Sequence, residues 1–544
     1  MGTTQGRAGR GANRGSTLIR ALLLALVAAM LVPAYAGAQK FDQNGVIFVH
    51  GIEGTGAQFE SQAMRLTSNG YPADWIDEVD YNSTRAAGDA SEVEQQIDRA
   101  IAAMQAHTGR PKVDVVGHSL GTRVMEGYLT DAQQGEARRA KVGRYVNVDG
   151  QASNPGVPTL AVWAGRGAAG RNMPDAQNVT IPNQTHVEVC TSKEAFVPIY
   201  EFLTGKPPAH ADIVPETGSI RVGGKTVDFP ANTGQAGATT EIWEVDANGR
   251  RTGSKPLHSL AITDGAVGGG DWGPVEVQAG RRYEFVVTIP GRLALHAYRE
   301  PFVRSDHAVR LLVSSALGPY VAYKPGSLTA SQIRYKELWG DQPGQSDQLL
   351  IDGTNICTPE LCPISKQVNA YLTFDANRNG RTDLTRDPVI GNLPFIQAAD
   401  VFVAANAAHD GTVAFELRSR GGGPPRIVNT PNWESTEGTV QIQWHDFEPH
   451  LLERAAAPCT LAKKLRFPIE PRGGQARRVS VYVDGKRVKT VRGRNIRSVA
   501  IGRPARSRFK VKVITRTSRG LTTTSTRRYD GCKKTRPRTR TVRS

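Results

Sequence analysis

Short apolar runs and stretches of helical spacing alternate from Gly45 to Leu203. Gly45-Val46-Ile47-Phe48-Val49-His50-Gly51, Val113 to Val116, Tyr145 to Val148 and Val157 to Trp163 read as buried strands. Between the first two, Val93, Ile97, Ile101 and Met104 recur at helical spacing. Ser91-x-x-Glu94 opens that helix as a capping box, and Gly109 and Pro111 close it. Val124, Met125, Tyr128 and Leu129 mark a second helix. Phe196, Ile199, Tyr200 and Leu203 mark another, behind the cap Thr191-Ser192-Lys193-Glu194. Strands alternating with helices predict a doubly wound, mainly parallel sheet covered on both faces.

The pattern changes after Lys206-Pro207-Pro208, where a linker runs to Glu216. From 217 to 290 short runs (Ile220–Val222, Thr240–Val245, Val275–Val277, Tyr283–Ile289) alternate with turns, which predicts an antiparallel sandwich. A second β-rich region spans 291–453, with strands at Val309–Val313, Ala370–Phe374, Val413–Leu417 and Val440–Trp444. A last module covers 455–544. In it Val479 to Val483 and Asp484-Gly485 predict a hairpin, Phe509 to Ile514 alternates as a strand, and the tail from Lys533 is expected to be disordered. The α/β segment occupies 39–207.

Residues 1–38 stand apart. Arg7, Arg10, Arg14 and Arg20 precede an apolar run from Leu22 to Val32, and Ala34-x-Ala36 and Ala36-x-Ala38 offer small-residue cleavage sites. This is the layout of an export signal, so the mature chain is expected outside the cytoplasm, where disulfides persist. Cys357 with Cys362 forms a local staple, Cys459 with Cys532 brackets the last module, and Cys190 is left over as a buried thiol.

The formal charge of +17 is not spread evenly. Residues 459–544 hold 27 Lys and Arg against three acids, a net of +24, so the remainder sums to −7. Such a module attracts an anionic polymer or surface. Few aromatics interleave the cations, which argues against specific nucleic-acid binding.

Candidate chemistry centres on Gly117-His118-Ser119-Leu120-Gly121, set between a strand and a helix. A sharp turn there lifts the Ser119 hydroxyl above the sheet. A serine used this way needs a base and an acid to orient it. His186, just ahead of the last helix, is the candidate base. Asp149 at a strand tip is the preferred acid, and Asp175 on a later loop is the alternative. The backbone N–H groups of Ile52 and Leu120 are the candidate oxyanion donors, and His50 reads as a turn residue. This chemistry needs no cofactor. Asp375, Asn377, Asn379 and Asp383 have the spacing of a short calcium loop, although Asn379-Gly380 also suits a plain turn.

Val46 to Gln62, Asn69-Gly70-Tyr71-Pro72, the serine pentapeptide and Thr185-His186-Val187 resemble the secreted prokaryotic α/β-hydrolase lipases of the class 2 type. The resemblance is clear over 40–205, looser to about 450, and narrowest with the two-domain members. It implies Ser119 as nucleophile, His186 as base, Asp149 as acid, and Ile52 and Leu120 as oxyanion donors. It also implies a β-rich region that packs over the site and shapes an acyl groove. The stretch Asn82 to Ala90, where such lipases insert a lid, is short here. Two functions follow as expectations. One is a secreted serine carboxylester hydrolase acting on medium- or long-chain acyl esters. The other is a surface-adhesion protein with a non-catalytic hydrolase fold and a basic anchor.

Overall fold

The computed structural model describes residues 41–448 and 464–542, with short breaks at 168–169, 322, 470, 472–473, 503, 505–507, 531–532 and 535–537. The expected export signal and both members of the Cys459–Cys532 pair lie outside the described residues.

Six strands form the first sheet: β1 (Gly45–Val49), β2 (Ile76–Val79), β3 (Val113–His118), β4 (Val142–Val148), β5 (Thr159–Ala164) and β6 (Gln177–Ile181). Their order is β2-β1-β3-β4-β5-β6, and every neighbouring pair is parallel. Four helices cover it: α1 (Glu60–Ser68), α2 (Ser91–Thr108), α3 (Leu120–Thr130) and α4 (Lys193–Thr204). Successive residues of β1 point to opposite faces. Ile47 and Val49 pack with Ile97, Ile101, Val124 and Met125, while Val46 and Phe48 pack with Leu66, Phe196 and Leu203. Burial on both faces is why these strands read as unbroken apolar runs.

The helix ends follow local chemistry, with one correction. Ser192 caps α4 by accepting the Ala195 N–H at 3.1 Å. Ser91, expected as a cap, is instead the first helical residue of α2, and Asp89 Oδ1 accepts its N–H at 3.0 Å. Gly109 ends α2 at φ +67, a left-handed position that glycine occupies without strain.

Residues 219–443 build three further sheets. The largest has eight strands, in the order His258–Ala261, Thr239–Val245, Arg282–Thr288, Ala294–Arg299, Gly438–Gln443, Ala330–Leu338, Val368–Phe374 and Ile396–Asp400. It draws strands from both sides of residue 290. It is mixed, not purely antiparallel, because Gly438–Gln443 lies parallel to both of its neighbours. The β-rich region docks on the first sheet through buried polar groups. Arg310 donates to Asp80 at 2.7 Å and lies 3.4 Å from Glu78. Asn232 Nδ2 donates to Gly54 O and Tyr81 O, each at 2.9 Å. Burial opposes ionisation of Asp80, but Arg310 and Lys225 outweigh it and hold the carboxyl well below the usual range.

The Cys357–Cys362 disulfide is present, inside the core of the β-rich region. Cys190 is a buried free thiol beside Val189 and Phe196, its pKa pushed up by burial. In the last module Ala476–Val483 and Lys486–Arg492 form the expected hairpin, whereas Arg538–Val542, in the tail expected to be disordered, pairs antiparallel with Thr522–Asp530. Asp484 and Gly485 both sit at positive φ, as a two-residue turn of this hand requires. Among the described residues no helix is long and apolar enough to cross a membrane.

Candidate active site

β3 ends one residue before Ser119, and α3 begins one residue after it. Ser119 is bent to φ +53, ψ −118, a conformation that persists only when its surroundings enforce it. They do so by leaving no room. A Cβ on Gly121 would lie 2.3 Å from Val49 O, and one on Gly117 would lie 3.2 Å from the Gly121 backbone. The Ser119 N–H is tied to Val148 O at 3.1 Å. The hydroxyl therefore stands at the head of α3, whose first N–H groups have no acceptor within the helix.

The loop before α4 brings His186 to this hydroxyl, with Nε2 2.8 Å from Ser119 Oγ. On the other side of the ring, Nδ1 lies 2.6 Å from Asp149 Oδ2. Asp149 follows β4 at φ +49, and its Oδ1 accepts the Ala164 N–H at 3.0 Å and a bond from Arg171 at 3.2 Å. Burial works against the carboxylate, but bonds from His186 and Ala164 and the Arg171 charge keep its pKa below the ordinary value. Asp175, the alternative, is exposed, and its backbone carbonyl accepts from Asn154. The structure brings Ser119, His186 and Asp149 together and leaves Asp175 out.

Ile52 and Leu120 flank the hydroxyl on the turn after β1 and at the start of α3. Neither backbone N–H has an acceptor among the described residues. His50 is spent holding that turn. Its Nδ1–H donates to Gly51 O at 2.7 Å, and its Nε2 accepts from Tyr81 N–H and Asn232 Nδ2, each at 3.3 Å. Burial lowers its pKa to about 4, so it stays neutral.

Two supporting sets were not visible in the sequence. Gln58 Oε1 accepts the Gly51 N–H at 3.2 Å, and Gln58 Nε2 donates to His118 Nδ1 at 2.9 Å. His118 Nε2 in turn donates to His186 O at 2.9 Å. One chain of bonds thus joins the oxyanion turn, the elbow and the base loop. It requires neutral His118, and burial lowers that ring's pKa to about 3. The second set comes from the β-rich region. Glu337, fully buried, accepts the Thr185 hydroxyl at 2.5 Å, and Arg420 donates to Glu188 at 3.0 Å. They grip the base loop on either side of His186. Burial raises the Glu337 carboxyl to about 7 against the opposing charge of Arg420.

The pocket above Ser119 is lined by Ile52, Glu53, Gln58, His186, Tyr335, Asn369 and Phe395. Glu53, Tyr335, Asn369 and Phe395 also line an adjoining cavity of about 140 Å³, with Phe229, Leu295, Leu312, Leu317, Ile333 and Leu372 among its walls. The short stretch after Asp80 forms one small helix, Ser83–Ala86, and the cover over the site comes from the β-rich region.

The candidate calcium loop is filled by its own donors. Asp375 pairs with Lys324 and accepts the Asn379 and Gly380 N–H groups at 3.1 and 3.0 Å. Asp383 accepts the Asn377 and Asn379 amides, each at 2.8 Å. A lysine ammonium thus stands where a bound cation would have to compete. Among the described residues no group of three or more His, Cys, Asp and Glu is placed to hold a metal ion.

A six-stranded parallel sheet with helices on both faces and a serine at the strand–helix elbow defines an α/β-hydrolase. A class 2 lipase model matches residues 43–156, a lipase C-terminal domain model matches 218–316, and a further C-terminal domain model matches 319–448. These matches support a class 2-type lipase with a C-terminal domain. No curated protein matches the chain. Among solved structures, Aspergillus fumigatus lipase B is 14% identical, with a TM-score of 0.27, covering 33% of this chain and 56% of that one. A Listeria innocua gene product is 12% identical at TM-score 0.24, covering 31% and 97%. The phospholipase PlaB of Legionella pneumophila is 8% identical at TM-score 0.22, covering 49% and 93%.

Proposed function

We propose that the protein is a secreted serine carboxylester hydrolase, a lipase acting on medium- and long-chain acyl esters. The observation that carries this reading is the unbroken relay from Asp149 through His186 to Ser119, 2.6 and 2.8 Å long, at the floor of a pocket that adjoins an apolar cavity. Ser119 Oγ attacks the ester carbonyl carbon while its proton passes to His186 Nε2. Asp149 holds the imidazole by its other nitrogen and balances the charge that forms there. The Ile52 and Leu120 N–H groups receive the oxyanion. The tetrahedral adduct collapses, the C–O bond to the alcohol breaks, and His186 returns the proton to that alcohol. Water then attacks the acyl-enzyme by the same steps and frees the acid. The apolar cavity takes the acyl chain.

A fluorophosphonate probe tests this directly. We expect one covalent adduct on Ser119, none on Ser119→Ala, and loss of ester turnover in the same variant. Labelling that persists in Ser119→Ala would remove the assignment. A second partner, an anionic polymer or surface, we assign to residues 455–544, because the net charge of +24 over residues 459–544 has no counterpart in the rest of the chain.

A further inference from the structure

The basic module places its cations in an order that its own stability does not favour. Ala476–Val483 lies between Lys486–Arg492 and Arg508–Thr517, antiparallel to both. Arg478 is directly opposite Arg492 on one side and Arg516 on the other. Residues opposed in this way share a face and sit about 5 Å apart at Cβ, and like charges so placed destabilise the sheet. Two residues along, Ser480 faces Thr490 and Ile514. Two further, Tyr482 faces Arg487 and Lys512. The fourth strand, Thr522–Asp530, continues these rows with Thr522, Thr524 and Thr526.

One face therefore reads as a row of three arginines, an uncharged row of Thr490, Ser480 and Ile514, and a row with Arg487 and Lys512 around Tyr482. All five cations are exposed, and no ion pair to an acid engages any of them among the described residues. The opposite face carries Val479, Val481, Val511 and Val513 into the module's core, against Leu465 and Phe467 of a second strand pair, Lys464–Pro468 with Ser498–Gly502. Ser480 is buried on the first face and Tyr482 and Ile514 are half-buried there, but its cations take no part in that core.

We propose that this face docks the enzyme on an anionic phospholipid surface, with the arginines seated on headgroup phosphates. Arginine's planar fork pairs with phosphate through two hydrogen bonds, and four of the five cations are arginine. A phosphate above the row converts three mutually repelling charges into shared partners of one anion layer. The sheet offers a broad two-dimensional array, which matches a lipid surface. This face carries a single aromatic, Tyr482, where stacking successive bases of a single-stranded nucleic acid takes several. The proposal rests on the assignment of an anionic partner to this module, and it is independent of the ester chemistry.

The test uses the full-length protein and vesicles of diether phosphatidylglycerol in diether phosphatidylcholine, which contain no ester to hydrolyse. Cosedimentation is measured for the wild type, for Arg478→Gln with Arg516→Gln, and for Arg466→Gln with Arg497→Gln. The last pair removes the same charge on the strand Lys464–Pro468 and just before its partner Ser498–Gly502. We expect salt-sensitive binding to the anionic vesicles only, lowered roughly thirtyfold by the first pair and much less by the second. Turnover of a soluble short-chain ester should be the same in all three. Equal losses from both pairs would leave net charge as the cause and overturn the role of this face. Binding to heparin or polyphosphate without binding to vesicles would overturn the membrane partner. Absence of binding to every anionic probe would overturn the assignment of the module itself, with the ester assay untouched.

Discussion

At Asp149 the environment decides a choice that spacing alone left open. The carboxylate stands at a strand tip, takes bonds from Ala164 N–H and Arg171, and meets His186 Nδ1 at 2.6 Å. Asp175 is exposed, with its carbonyl committed to Asn154. Asp149→Asn should lower kcat on acyl esters by about 10⁴-fold, because the amide offers the imidazole a donor where an acceptor is needed. Asp175→Asn should leave kcat unchanged. Comparable losses in the two variants would place the acid elsewhere. The juxtaposition of Ser119, Asp149 and His186 was legible because each rides on a local signal: a glycine-flanked turn, a strand end, and a loop ahead of a capped helix. Gln58 and Glu337 carried no such signal. Their partners lie 60 and 152 residues away, and only the folded chain defines them.

The elbow behaves as an element because its two glycines face different obstacles from its other neighbours. At Gly121 the obstacle is backbone, Val49 O at 2.3 Å, which cannot swing aside. Gly127 lies on the same helix, and there a Cβ would meet only Glu94 Oε1 at 3.9 Å. Gly121→Ala should therefore cost on the order of 3 kcal/mol and abolish fluorophosphonate labelling. Gly127→Ala should stabilise by up to about 1 kcal/mol through helix propensity. Denaturant midpoints for the two variants check the contrast, and a shift of the same sign in both would refute the steric account. The elements themselves were largely visible as apolar runs and helical spacing. The mixed pairing of the eight-stranded sheet was not, because periodicity reports which face a residue occupies and not the direction of the neighbouring strand.

Across the whole molecule, buried charges not only dock the β-rich region on the first sheet but also brace that region from within. Glu300 is buried, and it receives Arg426 Nε at 2.7 Å and the His445 N–H at 2.9 Å. Burial opposes its ionisation, yet Arg426 prevails and lowers its pKa to about 2, from 4.5 when unfolded. A carboxyl depressed in the folded state stabilises above its unfolded pKa, and that stability is lost as pH falls through the folded one. The stability difference between the wild type and Glu300→Gln should therefore be fully present above about pH 5. It should shrink by on the order of 3 kcal/mol toward pH 2. Chemical denaturation across that range measures it. A difference independent of pH would show that the pair does not carry the linkage.

The grip on the base loop has a consequence in time. Glu337 follows Thr185 by 152 residues, and Arg420 follows Glu188 by 232. A ribosome adding about 5–20 residues per second delivers the first of these side chains roughly 8–30 s after its target and the second later still. For that interval the nascent chain already contains its serine, its carboxylate and its imidazole. The segment bearing the imidazole still lacks the two side chains that brace it from behind.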